Sequence, residues 1–136
     1  MAHQIPHGRT FDADFMFTKL LVNDLDKSAA FYGSVFGLIE MHRVEAEIMG
    51  RKISEIVYQP TYAGGPMFIL GKFHDTSRPA NDELGLGFST KDMDALLKRV
   101  EAAGGSVAEV QEGGGFKNAF VKDTEGHLVQ ISQAMG

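Results

Sequence analysis

The sequence of 136 residues contains no cysteine. This absence excludes disulfide bonds, thiolate catalysis, and the zinc and iron–sulfur sites that depend on cysteine ligands. Long apolar runs are also missing, since no stretch approaches the roughly 20 residues that a membrane-spanning helix needs. The start of the chain, MAHQIPHGRT, contains no apolar segment typical of a signal peptide. We therefore expect a cytoplasmic protein with no membrane partner.

Positive charge is scarce as well. The 13 lysine and arginine residues are outnumbered by 18 aspartate and glutamate residues, which gives a net charge of −5. No segment concentrates the basic residues, so we expect no nucleic-acid partner, because phosphate backbones are bound by basic surfaces. What remains is an ordinary globular composition, 43% hydrophobic, in a chain the size of one domain, residues 1–136.

Residues 15–73 contain the patterns of one helix and four strands. FMFTKLLV (15–22) is rich in aromatic and branched residues, as strands are. The segment NDLDKSAAFYGSVFG follows, in which Asp24 or Asn23 can cap the start of a helix and Gly37 can end it. Apolar residues recur between them at helical spacing, so we predict a helix near residues 25–36. Three strands are predicted next, at 41–48, 53–59 and 64–73, which gives the order βαβββ.

The same order is predicted a second time. A polar linker, HDTSRPANDE (74–83), separates the first module from a second one at residues 84–133. The second module contains a strand at 84–90 and a helix near 92–103, whose apolar residues again recur at helical spacing. Its closing strands are predicted at 106–111, 117–123 and 127–133.

Shared spacing supports a duplication. The segment DLD, which begins at Asp24, matches DMD, which begins at Asp92. The same spacing carries Gly37 onto Gly105, so we expect Gly105 to end the second helix. We predict one α+β domain of two βαβββ modules, each with one sheet face covered by its helix and the other face open. Two such modules can form an open cup with a cavity for a small molecule.

With both modules laid out, the chain resembles the vicinal oxygen chelate superfamily, which includes glyoxalase I, bleomycin resistance proteins and extradiol dioxygenases. The segments VNDLDKSAAFYGSVFGL and AFVKDTEGHLVQIS carry the resemblance. It implies the cup-shaped fold, a homodimer, and in many members a divalent metal that stabilises negative charge on vicinal oxygens of the substrate.

The resemblance also assigns four metal-ligand positions, and this chain departs from the pattern at them. The positions fall on Phe17, Ile69, Gly85 and Gln130. Three of these residues have no side-chain donor, and the fourth is a weak neutral one, so we expect neither a metal nor another cofactor. The arginine that glyoxalase I commonly uses for the glutathione carboxylate corresponds to Leu21, so glyoxalase activity is not expected.

Several polar residues have two readings each. Gln130 is either a core amide bonded to the backbone or to a neighbour such as Lys19, or a ligand contact in the cup. Lys19 shares a strand face with Phe17. A lysine there needs an anion, which Glu55 or a ligand carboxylate can supply, or its side chain extends to solvent. Glu55 and His42 are the candidate general bases. For His42 the favoured alternative is a structural histidine, and for Glu55 the alternative is exposure on an open sheet.

The sequence leaves three functions open. The favoured one is metal-free binding of a small, largely apolar ligand in the cup, through Phe17, Lys19, Leu21, Ile69, Gly85 and Gln130. The second is an enzyme of the superfamily, either a glyoxalase-like lyase or isomerase or a metal-free catalyst that uses Glu55 or His42. The third is an interaction protein whose cup is filled with side chains.

Overall fold

The computed structural model describes residues 16–48, 50–75 and 85–135, so most of the predicted linker lies outside the described residues. The predicted element order is found in both modules, which are called module one and module two below. Module one contains β1 (Phe17–Leu21), α1 (Leu25–Phe36), β2 (Glu40–Ile48), β3 (Arg51–Tyr58) and β4 (Met67–Phe73). Module two contains β5 (Gly85–Ser89), α2 (Met93–Ala102), β6 (Ser106–Gly113), β7 (Phe116–Lys122) and β8 (Leu128–Ala134).

Each module forms a four-stranded sheet of the same topology. The strand order is β1-β4-β3-β2 in one sheet and β5-β8-β7-β6 in the other. The first strand of each module runs parallel to the last, because a helix carries the chain across the sheet, and the remaining pairs are antiparallel. The predicted α+β fold is therefore confirmed. Among the described residues the two sheets are not hydrogen-bonded to each other.

The modules are joined by a common hydrophobic core on their helix-covered faces. Tyr32 and Phe31 of α1 are fully buried there, and Phe36 stacks on Phe88 of β5 with ring centroids 3.9 Å apart. Helix α2 contributes Met93 and Val100 to the same core. Neither helix in the described part of the chain is long and apolar enough to cross a membrane.

The two helices begin alike and end differently. The Asp24 side chain accepts from the backbone N–H of Lys27 at 3.0 Å, and Asp92 caps α2 in the same way. Gly37 ends α1 in the left-handed conformation, with φ of 70°, as predicted. The expectation for Gly105 is wrong. Helix α2 ends at Ala102, and the left-handed residue after it is Gly104, with φ of 90°.

Gly105 is required for close packing instead. A Cβ atom added there would lie 2.5 Å from the carbonyl oxygen of Lys122 and 2.8 Å from Cε1 of Phe31. The shorter helix α2 brings the chain into β6 two residues earlier than the repeat predicts, and the glycine then lies beneath α1. The same residue type thus serves backbone conformation in module one and steric fit in module two.

Candidate functional site

Each sheet has a second face, which points away from the helices. Because side chains alternate along a strand, the residues between the core positions define this face. Open face one is the helix-free face of the module-one sheet, and its central residues are Phe17, Lys19, Leu21, Glu55, Val57, Ile69 and Gly71. Open face two is the helix-free face of the module-two sheet, and its central residues are Gly85, Gly87, Asn118, Phe120, Gln130 and Ser132.

An ion pair occupies the middle of open face one. Lys19 Nζ contacts Glu55 Oε2, and the two side chains are 23% and 10% exposed. Apolar side chains surround the pair, since Ile53, Val57 and Ile69 are buried on the same face. The lysine therefore has its anion within the chain, as one of the two sequence-based readings predicted, and Glu55 does not face solvent. Both charges are matched, which a partly buried carboxylate requires.

Gly71 lies next to the path of the lysine side chain. Strand register places Leu21, Gly71 and Glu55 in one row across the sheet, whereas Lys19 lies in the next row beside Ile69. The lysine chain therefore has to cross the Gly71 position to reach Glu55. A Cβ atom at residue 71 would lie 3.7 Å from Lys19 Cδ and 3.2 Å from Ile53 Cδ1. A methyl group at residue 71 would therefore be in ordinary contact with Lys19 and in tight contact with Ile53.

The four positions that the resemblance assigns to metal ligands lie on the open faces, but they cannot supply a metal site. Phe17 is 39% exposed on β1 and Ile69 is buried on β4. Gly85 and Gln130 are exposed on β5 and β8. Only Gln130 has a side-chain donor, and divalent cations need several oxygen or imidazole ligands. Within the described residues no cluster of three or more His, Asp or Glu side chains could hold a metal ion.

The remaining candidates are placed less centrally. Leu21 is half-buried at the end of β1, beside Gly71. His42 lies on β2, an edge strand of the module-one sheet, and is paired with Val57. Its side chain is exposed, although the sequence placed it on an apolar strand face. Its register with Val57 places it on open face one, at the outer edge of the sheet, where the helices do not cover it.

Gln130 is not the core amide that one reading predicted. Its side chain is exposed on open face two, and its Nε2 donates to Asn118 Oδ1 at 3.4 Å rather than to Lys19. The same Asn118 oxygen accepts from Ser132 Oγ at 2.5 Å. The assigned metal-ligand positions are not direct neighbours within either sheet. Ile69 registers with Lys19 rather than with Phe17, and Gln130 registers with Gly87 rather than with Gly85.

A buried polar cluster between the modules was not predicted from the sequence. Asp123, at the end of β7, accepts from Tyr32 Oη at 2.9 Å and contacts His127 Nδ1 at 2.8 Å. Its other oxygen accepts from the backbone N–H groups of Glu125 and His127. The turn after β7 was predictable from the sequence. Tyr32, the partner of Asp123, lies 91 residues away along the chain, and no local signal identifies it.

Ionisation of this cluster follows from its surroundings. Burial alone would raise the pKa of Asp123, but hydrogen bonds from the His127 side chain and from two backbone N–H groups hold it below the usual value. Burial, together with the neighbouring Asp123 carboxylate, raises the pKa of Tyr32. The cluster therefore holds a charged Asp123 and a neutral Tyr32 at neutral pH. It is buried in the joint between the modules, away from both open faces, which indicates a structural role.

These features define a class of protein, the paired βαβββ proteins of α+β fold. The two modules share one core, and each leaves one sheet face free of helices. The chain belongs to the Glyoxalase/Bleomycin resistance protein/Dioxygenase superfamily, whose sequence profile matches residues 15–131. The vicinal oxygen chelate assignment made from the sequence is confirmed by this match.

Individual relatives agree with the assignment. Lactoylglutathione lyase GLX1 of Arabidopsis thaliana is 31% identical in an alignment that covers 88% of this chain and 44% of that protein. This chain thus spans less than half the length of that relative. A probable lactoylglutathione lyase of Vibrio parahaemolyticus is 28% identical over 87% of this chain and 88% of its own length. A glyoxalase family protein from Bacillus cereus superposes with a TM-score of 0.76 at 17% identity, covering 98% of this chain and 100% of its own.

Proposed function

We propose that this chain binds a small, largely apolar molecule on open face one without a divalent metal. The observation that carries the proposal is the Lys19–Glu55 ion pair among buried apolar side chains, at a face where the assigned metal-ligand positions have no suitable donors. Such a face offers broad apolar contact and one polar pair that can orient a ligand.

The ion pair indicates which chemical groups a ligand needs. A ligand carboxylate could replace Glu55 as the partner of Lys19, or a neutral acceptor could share the ammonium group. Phe17, whose ring centroid is 5.7 Å from Lys19 Nζ, supplies a partly exposed aromatic surface beside the charge. We therefore expect planar aromatic molecules with one carboxylate or acceptor to bind. Glutathione conjugates should bind poorly, because Leu21 offers no partner for their carboxylates.

A panel of aromatic carboxylates, followed by calorimetry, tests the proposal. We expect Lys19→Met to weaken the binding of a carboxylate hit by about tenfold or more, since a hydrogen bond to a charged group contributes roughly 1.5–3 kcal/mol and each 1.4 kcal/mol is about tenfold in affinity. Lys72→Met is the matched control, because Lys72 lies on the opposite face of the same sheet. Equal weakening in both variants, or hits indifferent to Lys19→Met and Phe17→Ala, would place the ligand elsewhere. Elemental analysis that finds one equivalent of zinc, nickel or iron per chain would contradict metal-free binding.

A second candidate function is a lyase, which the curated relatives named lactoylglutathione lyase favour. In this chain the base would be Glu55, released from Lys19 by the substrate, or the exposed His42. Formation or consumption of lactoylglutathione by the purified protein, lost in Glu55→Gln and retained in Glu47→Gln, would establish it. Glu47 is an exposed residue of β2 and provides the control.

We also propose that two copies of the chain associate. Exposed apolar side chains accompany the outer strands of both sheets, among them Met41 on β2 and Val110 on β6, at 45% and 44% exposure. A second copy could cover such edges and apolar surface. Light scattering at micromolar concentration distinguishes a dimer from a chain of 14.8 kDa.

A further inference from the structure

Open face two contains a row of neutral hydrogen-bonding side chains. Strand register aligns Ser89, Ser132, Asn118 and Gln111 across all four strands of the module-two sheet. Neighbouring strands are about 4.8 Å apart, so the row extends roughly 14 Å. Every member can both donate and accept a hydrogen bond, and none carries a charge.

The hydrogen bonds within this surface are arranged so that polar groups remain for a ligand. Ser132 Oγ and Gln130 Nε2 both donate to the side-chain oxygen of Asn118. For these three residues no further side-chain hydrogen bond is made within the described part of the chain. Asn118 Nδ2 and Gln130 Oε1 are therefore a donor and an acceptor available side by side on an accessible sheet face.

Aromatic rings and open space lie beside the polar row. Phe116 and Phe120 flank Asn118 along β7, two residues to either side and on the same face. Gly87 registers with Gln130, and Gly85 precedes it on the same face of β5. A Cβ atom added at either glycine would meet no heavy atom within 4 Å. The surface beside Gln130 is thus open on the β5 side, and the Phe120 ring lies in the same row on the β7 side.

We propose that open face two binds a neutral polyhydroxylated group of the ligand, of which a sugar ring is the simplest case. Sugar hydroxyls donate and accept, as the side chains of the row do, and the C–H face of a sugar ring packs on an aromatic ring such as Phe120. A charged group would find no counter-ion in the row, and the neighbouring Glu109 already accepts from Gln111. The inference rests on the proposed function, because it assumes that the open faces bind a ligand.

A series of 4-nitrophenyl glycosides tests the inference, with 4-nitroanisole as the matched probe that carries the same ring without a sugar. Binding is measured by nuclear magnetic resonance titration of the full chain. We expect at least one neutral glycoside to bind about tenfold more tightly than 4-nitroanisole, the gain of one or two net hydrogen bonds. Perturbed resonances should include the side-chain amides of Asn118 and Gln130.

Asn118→Asp is the decisive variant. It keeps the oxygen that accepts from Ser132 and Gln130, but it removes the outward donor and adds a negative charge. We expect it to abolish the gain from the sugar, and thermal unfolding checks that the fold is kept. Glu112→Gln is the control, because Glu112 is exposed on β6 and registers with Lys117 rather than with a residue of the row.

Two results would overturn the inference: no glycoside binds more tightly than 4-nitroanisole, or Asn118→Asp retains the gain. Failure of the proposed function has a different signature. In that case aromatic carboxylates would bind equally to the wild-type and Lys19→Met proteins, whatever the glycosides do.

Discussion

Module one presents an ion pair among apolar side chains on its open face, whereas module two presents amides, hydroxyls and two glycines on the equivalent surface. Their helix-covered faces do not differ in this way. Leu20, Ile56 and Leu70 of module one and Val121, Val129 and Ile131 of module two are all buried and apolar. The sheets share a fold and a core but have different open surfaces.

The difference shows which part of a duplicated module is constrained. A core position has to remain apolar, because its burial stabilises the sheet against its helix. An open-face position contributes less to that packing, so its chemistry can change while the topology is kept. Two copies of one module therefore provide a single domain with two chemically different surfaces.

The largest expected effect concerns Gly105, which precedes β6, compared with Gly37, which ends α1. Gly105→Ala should destabilise the protein by about 3 kcal/mol, because the new methyl group would overlap the Lys122 carbonyl oxygen. Gly37→Ala should cost about 1 kcal/mol, because it strains a left-handed residue but meets no atom within 4 Å. Urea unfolding measures both. Equal losses would mean that the two modules use their glycines for the same reason.

The next effect concerns the polar cluster through which the module-two turn contacts α1. Asp123→Asn should reduce stability at pH 7 by about 2 kcal/mol, because Tyr32 and His127 lose a charged acceptor. The pKa of Asp123 is lowered in the folded state, so this stabilisation is present above about pH 4, the unfolded value. It is lost as the pH falls through the folded value.

Unfolding measured from pH 7 to pH 2 should therefore show the gap between wild type and Asp123→Asn closing in acid. Asp26→Asn is the control, because Asp26 lies in the first turn of α1 with an 88% exposed side chain. A gap that stays constant down to pH 2 would show that Asp123 is not charged in the folded protein.

The smallest expected effect on stability concerns two lysines on opposite faces of the module-one sheet. Lys19→Met should destabilise the unliganded protein by about 1–2 kcal/mol, since it leaves the Glu55 carboxylate without its partner. Lys72→Met should change stability by less than about 0.5 kcal/mol, as most surface substitutions do. Differential scanning calorimetry resolves the two. No loss in Lys19→Met would mean that solvent already compensates Glu55.

Local patterns in the sequence predicted the secondary structure well. Asp24 and Asp92 cap the helices as expected, because a capping side chain bonds to residues three positions away. The strands were found for a similar reason, since alternation is visible within one segment. The error at Gly105 came from extending a repeat through a helix whose length had changed.

The candidate site was less predictable, because it depends on register between strands. The Lys19–Glu55 contact was foreseen as one option, but the passage over Gly71 follows only from how β1, β4 and β3 align. The exposed position of Gln130 and its contact with Asn118 likewise depend on the pairing of β8 with β7. Residues far apart in the chain carry no local signal of such contacts.

The turn after β7 also has a consequence for the order in which the chain folds. Glu125 accepts from the backbone N–H groups of Asn23 at 2.8 Å and Asp24 at 2.7 Å, next to the start of α1 and 102 and 101 residues earlier in the chain. A ribosome therefore completes module one long before it synthesises the residue that holds this end of α1. Module one should acquire its final protection from hydrogen exchange only after module two has emerged, and the two modules should then unfold as one cooperative unit.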